Sequence, residues 1–92
     1  MIELQATIRN AQGIHCRPSA VIMKEVREYP GDIRIIKEHM ECDLRSVMEL
    51  LSMGLERGDT VTIRVDGPDE KRICRNLAVL FEREFDFPPR QG

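Results

Sequence analysis

Apolar and polar residues alternate over the first eight positions. Ile2, Leu4, Ala6 and Ile8 fall on one side and Glu3, Gln5 and Thr7 on the other, the period of a half-buried strand. Asn10-Ala11-Gln12-Gly13 interrupts this as a loop with good turn formers. Over 18–29 the period becomes helical: Ile22, Val26 and Tyr29 share one face, with Lys24, Arg27 and Glu28 outside. Pro18 suits a first helical turn and disfavours helical backbone at Arg17, which places the helix start between residues 16 and 18. Pro30-Gly31-Asp32 ends this helix. A second strand covers 33–37, and Met40, Cys42 and Leu44 alternate with Glu41 and Asp43 as a third. Glu38-His39 joins the two as a hairpin, although neither residue is favoured in a two-residue turn, which leaves room for a longer one.

Ser46-Val47-Met48-Glu49 fits a capping box, so a short helix follows and stops at Gly54 with a left-handed cap. Residues 60–65 alternate again, with Val61, Ile63 and Val65 inward. Gly67-Pro68-Asp69 turns the chain and caps a last helix. Ile73, Leu77, Leu80 and Phe81 form its apolar stripe, with Cys74 at the flank. The order strand, helix, strand, strand, helix, strand, helix predicts an α+β fold: a four-stranded, mostly antiparallel sheet whose apolar face is covered by the helices. Its other face, rich in Arg, Glu and Thr, meets water.

A chain of 92 residues predicts one domain, drawn here as 1–86, with a frayed tail over 87–92. Such a domain buries roughly 60–65% of its unfolded surface, so its function is expected on the outside. The net charge of -2 and the scattered basic residues argue against nucleic acid. No apolar run approaches a membrane span, and the N-terminus lacks the pattern of a signal peptide, so a cytoplasmic protein is expected. Cys16, Cys42 and Cys74 form no C-x-x-C pair; Cys42 and Cys74 read as small core residues.

The most informative stretch is Gly13-Ile14-His15-Cys16-Arg17-Pro18. The first amides of a helix lack partners within it and carry the positive end of its dipole, so an anion there is stabilised. An unprotonated His15 ring nitrogen is a nucleophile near neutral pH, and Arg17 offers a guanidinium to phosphate oxygens. Spacing alone does not separate a phosphoryl site from a loop histidine acting as a weak cap. It also leaves a low-pKa thiol at Cys16 open, as a function or a liability. A metal site on the His15-Cys16 pair, with His39 and Cys42 as the other ligands, is disfavoured, because the three-residue offset of the latter two puts them on opposite faces of a strand.

The stretch from Gly13 to Pro18 resembles the glycine-leucine-histidine-alanine-arginine-proline signature of HPr, the histidine phosphocarrier family of the bacterial phosphotransferase system. Arg45-Ser46-Val47-Met48, then Gly54 with Gly58-Asp59-Thr60-Val61, then Gly67-Pro68-Asp69-Glu70 resemble the family's later motifs in order, and the likeness runs to about Glu84. The resemblance implies an open-faced β-sandwich, βαββαβα, with three helices on one face of four antiparallel strands. It implies that His15 takes a phosphoryl group from enzyme I, itself charged by phosphoenolpyruvate, and gives it to IIA domains. The acceptor atom in the family is the δ nitrogen of the ring. Arg17 would stabilise the phosphoryl group, and Cys16 would supply a backbone amide at the helix start. The resemblance further implies no cofactor or metal, and a monomeric carrier rather than an enzyme that turns over.

Val47, Met48 and Leu51 are expected to meet partners, with Met48 and Val47 exposed and Leu51 partly buried. Methionine suits surfaces that adapt to several partners. Ser46 matches a serine that a dedicated kinase/phosphorylase modifies in some relatives, which opens a role with transcriptional regulators. Three departures stand out: Cys16 in place of alanine or threonine, Gln12 in place of asparagine or serine, and Glu49 in place of glycine. Glu49 strengthens a purely structural role for Ser46, because it completes the capping box and would repel a phosphate. A regulatory homologue of the same fold, and an inert structural or redox domain, are the competing readings.

Overall fold

The computed structural model describes residues 1–14 and 16–84, and Cys16 by its backbone alone. His15, residues 85–86 and the expected frayed tail 87–92 lie outside the described residues. The elements run β1 (Ile2–Thr7), α1 (Cys16–Val26), β2 (Asp32–Lys37), β3 (Met40–Asp43), α2 (Val47–Ser52), β4 (Thr60–Asp66) and α3 (Glu70–Glu82). This is the expected βαββαβα order. The strands form one sheet ordered β1-β4-β2-β3, with every neighbouring pair antiparallel. β1 and β2 both pair with β4, so they run parallel to each other with β4 between them.

Alternation decides which face is covered. Ala6, Ile33, Ile35, Cys42, Val61, Ile63 and Val65 are buried. They meet Ile22 and Val26 of α1, Leu50 of α2, and Ile73, Cys74, Leu77 and Phe81 of α3 in one core. The opposite face keeps charge. Arg64 pairs with Glu3 at 2.6 Å across the β1–β4 ladder, and Arg34 pairs with Asp32 at 3.4 Å and Glu41 at 3.6 Å. These carboxylates matter because Arg34 and Arg64 are directly opposite on β2 and β4, and like charges opposite each other destabilise a ladder. At the β1 edge, the Thr7 amide donates to the Glu82 carboxylate of α3 at 2.8 Å, which removes one free edge donor.

Four expectations change in detail. α1 ends at Val26 rather than Tyr29. Pro30 disfavours helical backbone at Tyr29, whose ring leaves the helix, lies against Gly31 and Gly67, and donates its hydroxyl to the Pro68 carbonyl at 2.8 Å. The β2–β3 turn keeps two residues, since Lys37 pairs directly with Met40, and Glu38 takes the positive φ of +54°. On α3, Phe81 is fully buried and Leu80 only partly, because 73, 77 and 81 step by one turn along the sheet-facing side.

The other two changes are at helix caps. Ser46 accepts from the Glu49 amide at 3.2 Å. The Glu49 carboxylate accepts from the Asp43 amide at 3.3 Å, because the Ser46 amide is already committed to the Asp43 carbonyl. The capping box therefore closes on one side only. Asp69 occupies the cap position of α3 but makes no side-chain cap; its left-handed backbone (φ 54°, ψ 31°) directs the carboxylate to Arg72 at 3.0 Å.

Candidate functional site

The segment leading to His15 is held by its own turn and by a distant loop. The Gly13 amide donates to the Asn10 carbonyl at 2.9 Å, and Asn10 Nδ2 donates to the Gly13 carbonyl at 2.8 Å. The Ile14 amide then donates to the Leu55 carbonyl at 3.0 Å, and the Ile14 side chain is buried. Gly13 has two reasons to be glycine. Its φ is +70°, and a Cβ there would overlap the Leu55 carbonyl oxygen. α1 begins at Cys16, the residue after His15, so the helix start falls at the early end of the expected interval.

The Leu55 side of this contact is anchored in turn. Asp59 Oδ2 accepts from the Glu56 amide and from Lys37 Nζ, each at 2.8 Å. Those bonds hold the Asp59 carboxyl below the usual carboxylate range and raise the Lys37 ammonium. The Gly58 amide donates to the Ile8 carbonyl, and the Ile8 amide to the Asp59 carbonyl, both at 2.8 Å. Within the third motif, the loop from Leu55 to Asp59 thus supports the first motif.

His15 itself lies outside the described residues, as does the side chain of Cys16. Of the residues flanking it, Arg17 is exposed on the first turn of α1, while Pro18 and Ser19 are buried. Cys42 and Cys74 are core residues. Burial pushes the Cys42 thiol up to about 11, and burial also raises Cys74, whose Sγ donates to the Ile63 carbonyl at 3.4 Å. His39 is exposed at the β2–β3 turn and Cys42 faces the core, so the structure does not bring them together. Among the described residues no three His, Cys, Asp or Glu side chains gather as a metal site. No described helix is long and apolar enough to cross a membrane.

α2 packs beside α1 and divides its apolar residues. Leu50 is fully buried and anchors the helix, Leu51 is partly buried, Val47 is exposed, and Met48 is 72% exposed. The sequence reading missed Leu50, Met53, Leu55 and Ile14 as core. Three of these lie outside regular elements, where no period marks them. Between α1 and residues 44–45 is a cleft of about 680 Å³ lined by Ala20, Met23, Lys24, Val26, Arg27, Leu44 and Arg45. It brings three cations beside an apolar floor. Arg45 is held there by a bond from Nη2 to the Gly31 carbonyl at 2.6 Å.

A family model described as the PTS HPr component phosphorylation site matches residues 2–83. The phosphocarrier protein HPr of Vibrio cholerae is 31% identical over 83 residues, covering 90% of this chain and 98% of that protein. HPr of Mycoplasma genitalium is 27% identical over 84 residues, covering 90% of this chain and 96% of its own. Among solved structures, HPr-C-His of Thermoanaerobacter tengcongensis superposes with a TM-score of 0.82 at 27% identity, covering 88% of this chain and 91% of that one.

Proposed function

The chain belongs to the HPr family of the phosphotransferase system, and from that premise we propose that His15 accepts a phosphoryl group from enzyme I and passes it to IIA domains. The observation that carries this reading is the family match across residues 2–83, with Gly13, Arg17 and Pro18 intact around the start of α1. In the first step a neutral ring nitrogen of His15 forms a nitrogen–phosphorus bond as the bond between phosphorus and the donor group breaks; in the second, that nitrogen–phosphorus bond breaks as the acceptor group forms its own bond to phosphorus, leaving the ring neutral again. Arg17, exposed on the first turn, offers charge-assisted hydrogen bonds to the transferred oxygens. The Cys16 amide and its neighbours at the helix start favour the negative charge. The partners supply the rest of the catalysis, so this protein is a carrier and not an enzyme in the turnover sense.

Docking is assigned to Met48 and Val47, with Leu51 behind them. The cleft beside α1 supports this. Lys24 and Arg27 make no ion pair among the described residues, whereas the outer face of the sheet balances its own charge. An acidic partner is therefore drawn to the helical side. The reading takes residues 1–86 as one cytoplasmic, monomeric domain. Incubation with enzyme I and phosphoenolpyruvate is expected to give an acid-labile, base-stable phosphate, lost in His15→Ala. No label on the wild type with a cognate enzyme I contradicts the reading.

Ser46 is proposed as a second, regulatory phosphorylation site, read by a serine kinase and by transcriptional regulators. Its support is position: it caps α2 directly before Val47 and Met48, so a phosphate adds charge beside the docking residues. Glu49 opposes that charge, although its carboxylate is directed to the Asp43 amide. A cognate serine kinase with ATP is expected to add one phosphate at Ser46 by mass spectrometry; an unmodified protein rules the site out.

A further inference from the structure

Asn10 and Ser19 are the buried polar side chains among the described residues, and Asn10 is 0% exposed. A buried amide costs stability unless its hydrogen bonds are made, so what Asn10 binds is informative. Its Nδ2 donates to the Gly13 carbonyl at 2.8 Å. The amide on the far side of that same peptide unit, Ile14 N–H, donates to the Leu55 carbonyl at 3.0 Å. A peptide unit is planar, and its C=O and N–H point in opposite directions. The Gly13–Ile14 plane is therefore clamped at both ends, by Asn10 on one side and by Leu55 on the other. The next residue in the chain is His15.

We propose that Asn10 is a positioning residue for phosphoryl transfer: by fixing the Gly13–Ile14 peptide plane it sets the direction in which the chain delivers His15 to the start of α1. This rests on the reading of His15 as the phosphoryl carrier and deepens it. Asn10 is assigned this role through the Gly13 carbonyl that its amide holds. Its contribution is orientation, and a small misplacement of a reacting group costs up to about a hundredfold in rate. The Leu55 clamp is a backbone carbonyl and cannot be altered by substitution, whereas Asn10 can.

The test compares wild type, Asn10→Ala, Asn10→Ser and Val61→Ala as acceptors from enzyme I charged with phosphoenolpyruvate, with rates measured against acceptor concentration. Asn10→Ala is expected to lower the saturating rate by about tenfold to a hundredfold while leaving KM near wild type, because Val47 and Met48 are untouched. Asn10→Ser keeps a donor on a shorter arm and falls between. Val61→Ala, a deletion in the β4 core, loses stability but keeps the wild-type saturating rate, which separates positioning from general weakening. A wild-type saturating rate in Asn10→Ala, or equal losses in Asn10→Ala and Val61→Ala, overturns the proposal. Where Asn10→Ala does not fold, Asn10→Ser decides alone: a reduced saturating rate supports the role and a wild-type rate refutes it. A wild type that takes no label contradicts the carrier reading instead, before any variant is compared.

Discussion

Cys42 lies on the covered face of the sheet, 3% exposed, and burial disfavours its thiolate enough to push the thiol up to about 11. The sign of the consequence is fixed by linkage. A free thiol titrates near 9, so between pH 9 and 11 the unfolded chain has lost a proton that the folded chain keeps. Stability therefore falls as pH rises through that window and levels above it. Thermal melts across pH 8–11 are expected to show this decline, shallower in Cys42→Ala. Equal slopes for the two proteins would mean that Cys42 does not titrate as its burial requires. The same burial makes Cys42 an unreactive thiol, in agreement with its reading as a small core residue.

At the level of elements, Glu38 shows where local chemistry gives way to the sheet. A two-residue turn between Lys37 and Met40 needs a positive φ, and Glu38 adopts +54° although a side chain disfavours it. Glu38→Gly is expected to stabilise the protein by about 1 kcal/mol in denaturant titrations; a loss of stability would show that the turn is not strained. The strands and helices were otherwise legible, because each has a clean period of two or of roughly four. What period could not show was where tertiary contacts override it. Tyr29 fits the α1 stripe but leaves the helix for Gly31, Gly67 and Pro68. Asp69 looks like a cap and is turned toward Arg72 by its backbone. The Gly13–Pro18 signature is local in sequence, so the candidate site was legible too. The clamp beneath it was not: Asn10 reads as an ordinary turn residue until Leu55, more than forty positions away, closes over Gly13 and Ile14.

Across the whole molecule the two faces of the sheet divide the work. The outer face is self-neutralising through Glu3–Arg64 and Asp32–Arg34–Glu41. The helical layer presents the start of α1, exposed Met48 and Val47, and a basic cleft in a chain whose net charge is -2. That asymmetry suits the proposed exchange with partners that approach on one side. The direct measurement is transfer itself. The protein is labelled with radioactive phosphate from phosphoenolpyruvate through enzyme I, freed of enzyme I, and mixed with a purified cognate IIA domain. The account predicts that the label leaves His15 and appears on the IIA domain, with none carried by His15→Ala. Label that stays on the protein, or is lost only to water, would contradict it.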